Sequence, residues 1–84
     1  MSDNSSRLDE AVLNNIRHVS DLMLAADGGG AFSTAERIAG AFVNDRHDWL
    51  PARYPTIGEA LVRLGTEWRE GVVEVWMRNY NGRW

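Results

Sequence analysis

The sequence predicts one domain of α+β class, mainly α: three helices followed by a C-terminal β-hairpin, in a winged-helix-like order. Three observations predict it. A Ser or Thr followed three residues later by Asp or Glu can close a reciprocal helix-start box; the pattern occurs at Ser6–Asp9, Ser33–Glu36 and Thr56–Glu59, each time ahead of apolar residues at helical spacing. Val72 to Met77 reads Val-Val-Glu-Val-Trp-Met, rich in the β-branched and aromatic residues that suit a strand. Asn81-Gly82 is the dipeptide of a tight type I′ turn, in which both central residues take positive φ.

Taken in order, the first helix runs from about Arg7 to Ala26, because Leu8, Val12, Ile16, Val19 and Met23 recur every three or four residues. Asp27 and the run Gly28–Gly30 end it, since glycine closes helices and then turns freely. Ala31 and Phe32 leave room for one short extended piece. Ile38, Ala39, Phe42 and Val43 give the second helix its apolar face, to about Arg46. Pro51 and Pro55 oppose helix between His47 and Pro55, where Trp49, Leu50 and Tyr54 are the anchors to the core. The third helix shows the strongest stripe, Ile57, Ala60, Leu61, Leu64 and Trp68, with Gly71 as its terminator. The strand follows, with Val73, Val75 and Met77 on one face and Glu74 and Trp76 on the other. Arg83 and Trp84 form a stub of return strand, or the turn begins nearer Asn79.

The 84 residues form one domain, 1–84, with residues 1–6 frayed. A chain of this length buries only about 60% of its unfolded surface, and four Trp, two Tyr and two Phe offset that thin core. The absence of Cys removes disulfides, thiolate zinc sites and cysteine nucleophiles. All nine bases are Arg, so Schiff-base lysine chemistry is excluded as well. Nothing at the amino terminus reads as a signal peptide and no apolar run reaches a membrane span; a soluble cytoplasmic protein is expected. The formal charge is −3, divided as −4 over residues 1–45 and +1 over 46–84. A polyanion would therefore meet the C-terminal half.

The order of elements resembles a winged helix-turn-helix domain. The likeness is most specific at Thr34–Phe42, similar to the second helix of many bacterial regulators, and at Thr56–Trp84, similar to a recognition helix running into a wing. The resemblance implies a small transcriptional regulator that binds double-stranded DNA as a homodimer, with the third helix in the major groove. By position it assigns Gly58, Glu59, Val62, Arg63, Thr66 and Arg69 to that helix, with Arg63 and Thr66 acting in the groove. It assigns Arg78, Asn79, Asn81 and Arg83 to the wing. Against it, the stretch Asn44–Pro55 is long for a compact helix-turn-helix, and Glu59, Glu67 and Glu70 leave the recognition surface nearly neutral.

The alternative is a non-catalytic protein-interaction module, such as a small inhibitor or adaptor of phage type. It would dock through the acidic first helix (Asp9, Glu10, Asp21) or through Trp76, Tyr80 and Trp84. An enzyme is the class the residues support least. The Ser and Thr hydroxyls of the boxes are committed to backbone amides, and Asp45-Arg46-His47-Asp48 reads as a solvated loop rather than a metal site, with nothing to bring His18 to it. Gly28–Gly30 lacks the Lys-Ser/Thr of a nucleotide loop. No metal or cofactor is implied.

Overall fold

A computed structural model describes residues 9–54 and 56–83, and among them every regular element is a helix. Four α-helices follow one another: α1, Glu10–Ala25; α2, Thr34–Val43; α3, Ile57–Leu64; and α4, Thr66–Asn81, with a short 3₁₀ turn at His47–Trp49 between α2 and α3. The expected C-terminal hairpin is not present. Val72–Met77 lies inside α4, and no strand occurs among the described residues. With the hairpin goes the winged-helix architecture.

The start signals act where they are described. Ser33 Oγ accepts from the Glu36 amide at 3.1 Å while the Ser33 amide donates to Glu36 at 2.9 Å, which closes the reciprocal box of α2. Thr56 Oγ1 accepts from the Glu59 amide at 3.1 Å. At α1 the cap is Asp9 itself, accepting from the Ala11 amide at 2.9 Å; Ser6, and with it the first box, lies outside the described residues.

The break between α3 and α4 falls at Gly65 instead of Gly71. Gly65 adopts φ 84°, ψ 166°, a region open to glycine alone, so the helix that the stripe Ile57–Trp68 suggested is cut and Trp68 belongs to α4. Gly71 terminates nothing. It is buried in α4 against α1, where a Cβ would stand 2.6 Å from Ile16 Cδ1. Asn81-Gly82 also serves another purpose than a hairpin turn. Gly82, at φ 66°, caps α4 as the Arg83 amide reaches back to the Arg78 carbonyl at 2.9 Å.

Leu13 and Ile16 of α1, Ala39 and Val43 of α2, and Val72 and Val75 of α4 form one buried cluster, with Leu61, Leu64 and Trp68 packed on its edge. Val19, Met23, Ala41 and Trp49 form a second, closed by Phe32 and Leu50. The anchoring role expected of Trp49 is therefore found, and Gly28 makes it possible: a Cβ there would overlap the Trp49 ring at 2.5 Å. No helix among the described residues is long and apolar enough to cross a membrane.

Candidate functional site

The residues with most to say about function gather where the end of α2 meets α4. The α2 helix closes with a Schellman motif: the Arg46 amide bonds to the Ala41 carbonyl at 2.8 Å and the Asp45 amide to Phe42 at 3.1 Å. The residue at its left-handed position is Asp45, φ 56°, where glycine is usual. Its carboxylate accepts from the Trp76 indole Nε1–H at 3.0 Å, across 31 residues of sequence. Tyr80, one turn further along α4, stacks on Trp76 with ring centroids 5.3 Å apart and planes 8° from parallel. Trp76 is thus fixed at both its edge and its face.

Beside it opens a groove of about 340 Å³, walled by Phe42, Ile57 and Trp76, with Asp45, Arg46 and His47 at its rim. A smaller depression of about 180 Å³ continues along Val43, Asn79 and Tyr80. The rim is itself ordered by charge. The Arg46 guanidinium lies 4.5 Å over the Trp49 ring and grips Asp48 through two bonds of 3.1 and 2.9 Å. That grip holds the Asp48 carboxyl below the usual carboxylate range and raises Arg46 above its ordinary value. With Asp48 bound to Arg46 and Asp45 to Trp76, the two carboxylates of this loop serve separate donors. No group of three metal-ligating side chains occurs among the described residues.

The positions assigned to DNA binding fall in two places: those expected of the recognition helix lie on α3 and at the α3–α4 junction, and Arg78, Asn81 and Arg83 line one depression of about 280 Å³ with Glu74 and Met77 along the end of α4. Gly58, Glu59, Val62 and Arg63 lie on the outside of α3, as the sequence suggested, and Val62 is 73% exposed. Arg63 shares an apolar-lined recess with Arg53 and Tyr54. Thr66 is exposed at the first position of α4. Arg69 donates to the Leu61 carbonyl at 3.2 Å and so splints the α3–α4 junction. Arg78 bonds to Glu10 at 3.2 Å and to Glu74 at 2.8 Å, tying α4 to the start of α1, and both carboxylates raise its pKa. Asn81 and Arg83, with Asn79, are exposed around the end of α4 instead of a wing tip. Of the expected protein-interface residues, Trp76 and Tyr80 meet; Trp84 lies outside the described residues.

On the first helix Asp9, Glu10 and Asp21 are exposed, but Glu10 is engaged by Arg78. Val73 and Met77 lie on the outer surface while Val75 is fully buried; these three do not share a face, because the period is helical. The contributions of Asp45, Phe42 and Ile57 to the groove were not foreseen. Of the sequence expectations, only the docking role given to Trp76 and Tyr80 pointed towards it, and Trp76 is half-buried. No family model, curated protein or solved structure matches the chain.

Proposed function

We propose that this protein is a non-catalytic protein-binding module whose docking site is the groove between the end of α2, the start of α3 and α4. The observation that carries this reading is Trp76, pinned by Asp45 and stacked by a Tyr80 that is 77% exposed, at the wall of an apolar groove. A pre-ordered aromatic loses little freedom on binding, and residues of this kind dominate interface energetics. The groove has room for an apolar side chain of a partner, and Asp45, Arg46 and His47 place polar groups at its border. Duplex binding is favoured less, because Arg69 and Arg78 are engaged within the molecule and the net charge is −3.

The test places a photoreactive phenylalanine analogue at Ile57, on the groove wall, and irradiates the full chain in a lysate of the source cells. One discrete protein partner is expected, and both Trp76→Ala and Asp45→Gly should suppress its capture. Asp45→Gly keeps the left-handed cap and removes only the indole's acceptor, so folding is preserved in that arm. Capture that is indifferent to both substitutions, or binding of the chain to duplex DNA that falls steeply with salt, would overturn the reading.

A further inference from the structure

We infer that the shallow recess where the Pro51–Tyr54 turn meets the outer face of α3 is a second docking site, which takes an acidic segment of a protein partner whose carboxylates bracket an apolar side chain. The recess shares no lining residue with the groove at Trp76, so the inference goes beyond that reading and does not rest on it. It encloses about 350 Å³ and is bounded by Arg53, Tyr54, Glu59, Val62 and Arg63. The Tyr54 amide donates to the Pro51 carbonyl at 2.9 Å, which closes a β-turn and fixes the backbone that carries Arg53. Val62 is 73% exposed and Tyr54 half-buried. An aliphatic and an aromatic side chain therefore share one open recess with two guanidinium groups.

The charges at the recess select its occupant. Among the described residues neither Arg53 nor Arg63 has an ion-pair partner, whereas Arg46 and Arg78 are each matched by acids. Glu59 stands four residues before Arg63, the spacing at which a helix pairs such charges. Its carboxylate instead accepts from the Thr56 hydroxyl at 3.1 Å, at the start of α3. Both cations are thus left for something outside the molecule. A guanidinium presents its donors as a fork that fits a carboxylate two bonds at a time, and the apolar lining asks for an anion that carries an apolar body. Leu, Phe or Trp between two acids supplies both. A nucleic acid fits less well, because two cations beside Glu59 neutralise too few phosphates. The volume is at the low end for a ligand site, so the contact is a short segment of modest affinity.

The test titrates the isotope-labelled full chain with a panel of short acetylated and amidated peptides in which Asp or Glu brackets Leu, Phe or Trp, followed by NMR. At least one peptide should move the Val62 methyl and Arg63 Nε–H resonances to saturation. Replacing its acids by Asn and Gln should weaken binding about tenfold or more, the worth of one charge-assisted hydrogen bond. Combining Arg53→Gln with Arg63→Gln, both on the exposed surface, should do the same. Asp45→Gly, which acts on the groove, should leave the peptide affinity unchanged, so this result and capture at Ile57 are judged separately. The proposal is overturned if no peptide moves these resonances or if the uncharged peptides bind as well. It is equally overturned if a thymidine oligonucleotide moves them at lower concentration, or if they move when the chain alone is concentrated.

Discussion

Two aspartates hold conformations that usually belong to glycine, and they do so for different reasons. Asp27, φ 53°, and Asp45, φ 56°, occupy the left-handed position of matching Schellman caps on α1 and α2. Asp27 has only a 3.8 Å approach to Arg46 and its side chain is 89% exposed, a contact of little energetic weight. Asp27→Gly should therefore stabilise the fold by about 0.5–1 kcal/mol, a rise of roughly 2–8 °C in Tm for a domain of this size, read by thermal unfolding. Asp45→Gly gains the same backbone relief but loses the indole hydrogen bond, worth about 1 kcal/mol, so stability should stay nearly constant while partner capture falls. That contrast separates a residue kept for the fold from one kept for the site. Asp48 adds a pH dependence. The Arg46 guanidinium lowers its folded pKa, so its contribution is fully present above the unfolded value and is lost as the pH falls through the folded one. The Tm difference between the native chain and Asp48→Asn should shrink as the pH drops below about 4, and a difference constant across that range would contradict the assignment.

Among the elements, α4 separates what was legible from what was not. The starts of α2 and α3 could be read from Ser33–Glu36 and Thr56–Glu59 because a capping box is local, and the stripe of α1 because its buried residues Ile16, Val19 and Met23 recur at helical spacing. In α4 both faces are apolar: Val72 and Val75 turn inward, Val73 and Met77 outward. The mixture hides the 3.6-residue period and leaves β-branched composition as the louder signal, which tertiary packing then overrides. The glycines misled for a related reason, since a terminator and a close-packing site look alike in sequence. Gly65 is the terminator: Gly65→Ala should cost about 1–3 kcal/mol for its left-handed, extended backbone, measured by denaturant unfolding. Gly71 is the packing site. Gly71→Ala should destabilise through overlap with Ile16 Cδ1, by about 1 kcal/mol after the gain in helix propensity. Ile16→Val, which removes that methyl, should recover most of the loss in the double variant, a coupling that independent sites would not show.

At the scale of the whole molecule, four helices share two adjoining buried clusters within an envelope of 42 × 25 × 21 Å. The site arises from that packing rather than from any contiguous motif. Trp76 was recognisable in sequence as a candidate anchor, but Asp45 was not recognisable as its partner, because nothing local connects residues 31 apart until α2 and α4 are laid side by side. Arg78 and Arg69 show the converse: both looked like ligand contacts, and packing turned them into ties between helices. The central claim is that helix α4 carries Trp76 in a fixed position, held by Asp45. The most direct check is NMR of the labelled chain, with the Trp76 indole resonance assigned by Trp76→Phe. Helical carbon shifts across 72–77, and an indole N–H protected from exchange until Asp45→Gly exposes it, are the predicted result. Strand-like shifts there, or an indole proton exchanging freely in the native chain, would contradict it.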